Sequence, residues 1–142
     1  MRNFSLLEDC NCFATRQAAR YITRLYEKHL DGAHLTSAQF SILVSLDEKN
    51  EMSMSGLSAA LVMDRTTLLR ALKPLQRDGF LKSRPSKQDT RQLLLSLSPE
   101  GQRRLKIAAR LWHDAQRQFE EEVGPSRAAR MRRDLLAVSR ST

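Results

Sequence analysis

Between Asp64 and Asp78, the residues Thr66, Arg70, Lys73 and Arg77 recur at steps of four, three and four, which at a helical period puts them on one side, with Arg65 and Thr67 beside the first. These are side chains that handle a polyanion. Arginine can hold guanine with two parallel hydrogen bonds, lysine neutralises phosphate, and a threonine hydroxyl bonds a base edge or a phosphate oxygen. Leu68, Leu69, Leu72 and Leu75 fall on the other side, so the stretch reads as an amphipathic helix with its apolar face towards a core. The same division describes an ordinary helix whose cations face water. The flanking residues discriminate between the two.

A carboxylate at Asp64 can accept from the free amides of a first helical turn and complements the positive helix end, so a helix is expected to start there. Upstream, Ser55 can cap a short helix over residues 56–62, whose apolar edge is Leu57, Leu61 and Val62. Only Met63 and Asp64 then separate the two helices, which is helix-turn-helix spacing. Downstream, Gly79 can take the left-handed position that ends a helix. Residues 80–84 and 92–97 read as strands around the polar loop 85–91, with Leu93, Leu95 and Leu97 sharing a face. A hairpin beside a reading helix is a wing, and Lys82, Arg84, Lys87 and Arg91 would carry its positive charge to a nucleic-acid backbone or minor groove. Pro74 opposes the helix locally, because it lacks a donor and disfavours helical geometry at Lys73, so the helix must kink there or end early.

The run MDRTTLLRALKPLQRDGFL, the loop residues Asp89-Thr90-Arg91 and the following LSLSPEGQRRL resemble the MarR family of winged helix-turn-helix regulators. The resemblance extends over most of the chain, from about Cys12 to Val123. It implies a DNA-binding transcriptional regulator, a repressor by family default, with a tolerated kink at Pro74. It also implies that Asp89 orients Arg91 and that Arg91 enters the minor groove.

The formal net charge is +8, and its placement matters more than its size. Residues 64–98 hold eight cationic against three acidic side chains, a net of +5, whereas residues 1–63 come to −1 and residues 99–123 to zero. That is the footprint expected of a protein whose partner is a polyanion. The basic tail from Gly124 reads as a solvated helix face or as a further DNA contact.

The elements around the reading helix supply a frame. Phe13, Ala14, Ala18, Tyr21, Ile22 and Leu25 recur at three- and four-residue steps in a first helix over about residues 9–30, with Gly32 as its stop. Thr36 and Gln39 form a capping box leading into Phe40, Ile42, Leu43 and Leu46; residues 47–51 read as a connection and 52–54 as a short third strand. Ser98 and Pro99 open a helix to about Val123, with Leu105, Ala108, Trp112, Ala115 and Phe119 on its apolar side. Gly124-Pro125 breaks it, and Ser126 caps a last helix with an apolar edge of Met131, Leu135 and Val138. The fold expected is mainly α with a small β-wing: one domain over residues 1–142, a winged helix-turn-helix core at about 35–97, and helices at about 9–32 and 99–142 that pair two copies. Pairing across a two-fold axis would set two reading helices about one DNA turn apart, so the expected partner is a palindromic operator of roughly 15–25 base pairs in double-stranded DNA.

The control site is less legible. The family resemblance implies a small-molecule effector held between the winged lobe and the pairing helices, with Phe13, Arg16, Tyr21, Phe40 and Trp112 as candidate lining residues. One branch of the family senses organic hydroperoxides through a cysteine near the start of the first helix; Cys12 occupies a similar place, and Tyr26 aligns with a tyrosine that bonds the reactive sulfur. A second tyrosine of that branch is replaced by Arg16, and Cys12 also reads as a small buried hydrophobe beside Phe13. Cys10 and Cys12 are too close for an easy mutual disulfide and are expected to be reduced. His29, His34 and His113 have no metal-ligand spacing, so neither a metal nor a cofactor is expected. No phosphate loop, HExxH motif or nucleophile elbow marks an enzyme. The remaining alternative of another class is a winged-helix protein-interaction module with no DNA role. Lacking an apolar run of membrane-spanning or signal length, the protein is expected in the cytoplasm.

Overall fold

The computed structural model describes residues 5–140 as six α-helices and a three-stranded antiparallel sheet. Helix α1 spans Asn11–Leu30 and begins two residues later than expected, because the Sγ of Cys10 accepts from the Phe13 amide and serves as its cap. A 3₁₀ turn, Asp31–Ala33, follows, and the left-handed residue that ends the segment is His34, with φ 55°, rather than Gly32.

Helix α2, Ser37–Lys49, opens on the expected capping box: the Gln39 amide donates to the Thr36 hydroxyl and the Thr36 amide to the Gln39 side chain. It runs through Asp47, Glu48 and Lys49, which sequence polarity assigned to a connection. All three are exposed and helix-compatible, so polarity there marks a face rather than an end. Strand β1, Met52–Ser53, lies in the expected third-strand position and leads directly into α3, Met54–Leu61. The cap of α3 is Ser53 and not Ser55: the Gly56 amide donates to the Ser53 hydroxyl, and the helix starts as the strand ends.

Helix α4, Arg65–Arg77, starts at Asp64 and continues through Pro74 to Arg77, so the proline does not end it. Its cost is local, since Pro74 has no N–H to offer the Arg70 carbonyl. Leu68, Leu72 and Leu75 are fully buried, but Leu69 is 48% exposed and belongs to the outer face. Gly79, φ 77°, makes the expected left-handed turn into β2, Leu81–Pro85, which pairs with β3, Leu93–Leu97. The sheet order is β1-β3-β2. Leu95 and Leu97 face the core while Leu93, though on the same side by alternation, lies out on the wing and is exposed.

Helix α5, Pro99–Val123, is about 37 Å long at about 1.5 Å per residue. Ser98 fastens its start: its hydroxyl accepts from the Gly101 amide and donates to the Gly79 carbonyl, while its amide donates to the Phe80 carbonyl. Helix α6, Pro125–Arg140, begins at Pro125, one residue before the expected Ser126 cap, because proline suits a first helical position where no donor is needed. The main core gathers Leu30, Ile42, Leu43, Leu46, Leu57, Leu68, Leu72, Leu75, Leu95 and Ala108 from α1, α2, α3, α4, β3 and α5. Leu25, Ala115, Phe119 and Ala128 form a smaller one where α1, α5 and α6 meet. Among the described residues, no helix is long and apolar enough to cross a membrane.

Candidate nucleic-acid interface

Asp64 is the pivot of the site. Its carboxylate accepts from the Thr67 amide at 2.7 Å and the Thr67 hydroxyl at 3.0 Å, closing the first turn of α4. Those two bonds, assisted by Arg70, hold its carboxyl below the usual aspartate range. The stability they supply is therefore present above the ordinary aspartate pKa and is lost as pH falls through the lowered one. Thr67 thus spends its hydroxyl on the cap, and Arg65, Thr66, Arg70, Lys73 and Arg77 stand exposed. Arg77 pairs at 3.1 Å with Asp78, an exposed contact worth little.

The wing is ordered by its own loop. The Ser86 amide donates to the Gln92 carbonyl at 2.8 Å, the Gln92 amide to the Asp89 carbonyl at 2.9 Å, and the Gln88 amide to the Ser86 hydroxyl. Asp89 accepts from both the backbone amide and the Nε of Arg91, at 3.1 and 3.2 Å, while the Arg91 side chain remains 91% exposed. The two residues that the resemblance couples are therefore in contact. Lys87 is exposed beside it. Arg84 is placed differently: its guanidinium holds the carboxylate of Glu51 with two hydrogen bonds. Nothing local in the sequence could have revealed Glu51, since the two residues lie 33 positions apart.

Helix and wing converge. A crevice of about 330 Å³ lies between them, lined by Met54, Ser55 and Arg65 on one side and Asp89, Arg91, Gln92 and Leu93 on the other. Arg65 at the start of α4 and Arg91 at the wing tip therefore open onto one face of the molecule.

The candidate control residues are not gathered into one place. Phe40 and Trp112 stack with ring centroids 6.3 Å apart and share a groove with Ser41, Val44, Ser45, Glu48 and Leu61; the His113 ring packs edge-on against Trp112. Tyr21 lies near the far end of α5, donating to Glu122 at 2.8 Å, a bond that raises the phenol's pKa, while hydrogen bonds from Gln118 and then Tyr21 lower that of the carboxyl. Half-buried Phe13 and exposed Arg16 lie further towards the start of α1. Cys12 is exposed, contrary to the buried alternative. Tyr26 donates to Gln116, and burial, followed by Glu120, pushes its phenol up. Cys12 and Tyr26 are fourteen residues apart on one helix, roughly 21 Å, so they cannot touch within one chain.

Sequence reading missed two further residues. Arg104 donates to the Ala33 carbonyl at 3.0 Å and lies 5.0 Å from the Phe80 ring centre, tying the 3₁₀ turn after α1 to the start of the wing. Gly101 packs directly on the Phe80 backbone. A glycine in the first turn of a long helix was the available signal, because glycine is a poor helix former.

The sequence model of the MarR family matches residues 35–93, which include α2, β1, α3, α4, β2 and the first residue of β3. Across the whole fold, the chain is similar to the Mycobacterium tuberculosis transcriptional regulator MosR, in a crystal structure with DNA. The two are 32% identical, with a TM-score of 0.81, over 94% of this chain and 96% of that one. The chain belongs to the MarR family. A probable transcriptional regulator from Pseudomonas aeruginosa is 27% identical, with a TM-score of 0.82, over 93% of this chain and 98% of that one. The organic hydroperoxide resistance transcriptional regulator of Bacillus subtilis is 30% identical over 67% of this chain. That match spans 65% of the relative's own length, just under two thirds. Membership makes this chain a winged-helix transcriptional regulator of MarR type. In that winged-helix arrangement, α3 and α4 are the helix-turn-helix pair and β2–β3 the wing.

Proposed function

We propose that the protein is a homodimeric repressor that binds a palindromic operator in double-stranded DNA. Helix α4 enters the major groove with Arg65, Thr66, Arg70, Lys73 and Arg77, and Arg91 enters the adjacent minor groove with Lys87 on the backbone. The observation that carries this is the convergence of Arg65 and Arg91 on one crevice, which joins the cationic helix face and the wing tip into one surface. Pairing is supported by apolar side chains left in water at both ends of the described chain: Leu6, Leu7 and Tyr21 on one, Leu135, Leu136 and Val138 on the other.

Arg70 lies at the middle of the exposed α4 face. Arg70→Ala is expected to cost about 1–3 kcal/mol on the cognate operator and far less on random duplex. Fluorescence anisotropy on both duplexes checks this, and equal losses would assign Arg70 to phosphate.

Release by a small-molecule effector is the control we favour. The groove beside Phe40 and Trp112 supports it, offering two stacked aromatic rings with Ser41, Ser45 and Glu48 as polar groups. A redox reading is favoured by the exposure of Cys12 and by similarity to a regulator named for organic hydroperoxide resistance. Any contact between Cys12 and Tyr26 would then join two subunits. Under that reading, Cys12→Ser leaves operator binding unchanged in cumene hydroperoxide while the wild type releases DNA. Release by both proteins alike would end it.

A further inference from the structure

Arg84 is the one cation of the wing hairpin that the structure gives a bidentate carboxylate partner among the described residues. Strand pairing shows what that contact spans. Arg84 on β2 lies opposite Leu94 on the central strand β3, and Ser53 on β1 lies opposite Leu94 from the other side. Glu51 precedes β1 by one residue. The Arg84–Glu51 pair therefore reaches from one edge of the sheet to the other, over the outer side of half-buried Leu94.

The pair is built as a strut. Arg84 Nε donates to one carboxylate oxygen at 2.8 Å, an Nη donates to the other, and the second Nη lies 3.5 Å from the Pro85 carbonyl. Two parallel bonds from a planar fork fix direction as well as distance. Glu51 is 32% exposed and Arg84 48%, so the pair is partly withdrawn from water. The need for such a strut is visible in β1, which is only two residues long and adds few ladder bonds. Without a brace, the hairpin that carries Arg91 would be free to twist about that short edge.

We propose that Glu51 is a positioning residue for DNA binding: it holds Arg84 across the sheet, fixes the pitch of the wing, and makes Arg84 a brace instead of a phosphate contact. This rests on the reading of the wing as a DNA-binding element. It removes Arg84 from the contact set that the sequence suggested and predicts that an acidic residue assists binding to a polyanion. Electrostatics alone predicts the reverse, because removing Glu51 makes the surface more positive.

The test uses the full chain and a duplex selected from a random-sequence pool, with affinity measured against KCl. Glu51→Gln and Arg84→Met should each weaken binding about fivefold, in keeping with a surface pair worth up to about 1 kcal/mol. Both should keep the wild-type salt slope, and the double variant should lose no more than either alone. The exchanged pair Glu51→Arg/Arg84→Glu should recover most of the loss. Tighter binding by Glu51→Gln would overturn the proposal, as would a slope shallower by about 0.9 in Arg84→Met, the signature of a lost phosphate contact. Failure of the wild type to bind any duplex would instead defeat the DNA reading. The brace would then still be tested by hydrogen exchange in the free protein. Amides of Leu93–Leu97 should exchange faster in both single variants and at the wild-type rate in the exchanged pair, and unchanged protection in the single variants would overturn the brace.

Discussion

Gly101→Ala is expected to destabilise the protein by about 3 kcal/mol, although alanine is the better helix former by about 1 kcal/mol. A Cβ at Gly101 would lie 2.1 Å from the Phe80 carbonyl oxygen and 3.0 Å from its carbon, far inside contact distance. The obstacle is backbone and cannot rotate away. That same oxygen accepts the Ser98 amide, so α5 cannot retreat without breaking the bond that fastens its start. Phe80 follows the turn that ends α4, and its ring lies under Arg104, so displacement would reach both the wing and the frame. In thermal unfolding, the melting temperature should fall by about 6–12 °C for a chain of this size. A change of less than about 2 °C would mean that the helix start tolerates the added methyl, and the docking described for α5 would be wrong.

The second large effect concerns binding without folding. Arg91→Ala should weaken operator binding by about 1–3 kcal/mol, roughly 5- to 150-fold, if its guanidinium enters the minor groove as proposed. Its melting temperature should stay within about 1 °C of wild type, since Arg91 is 91% exposed and its pairing with Asp89 is a surface one. Asp89→Asn should fall between the two, keeping the arginine while loosening its aim. Calorimetry beside anisotropy separates these terms. A fall in melting temperature matching the affinity loss would make Arg91 a structural member of the wing.

What could be read before the structure followed from how local its cause was. Asp64, Thr36 and Ser98 cap helices through bonds to residues three positions on, so residue type and spacing sufficed. The cationic face of α4 followed from periodicity, and so did burial of Leu68, Leu72 and Leu75. Where two local solutions competed, sequence misassigned: Ser53 and Ser55 can each cap α3, and only the pairing of β1 with β3 brings Ser53 to the helix start. Residues 47–49 are polar because they face water along α2, and in sequence such a run looks the same as the end of a helix. Leu93 obeys the strand alternation but projects beyond the core that would bury it. The partners of Arg84 and Arg104 lie 33 and 71 residues away, and only the fold brings them near.

The central claim is that one continuous cationic surface, made by α4 and the wing, grips DNA phosphates. The most direct measurement is the affinity of the wild-type protein for its selected duplex between about 50 and 200 mM KCl. With six or more phosphate contacts, the logarithm of affinity should fall linearly with that of salt at a slope of about −5 or steeper. A flat response, or no duplex binding at the lowest salt, would contradict the account and favour a protein partner for the winged lobe.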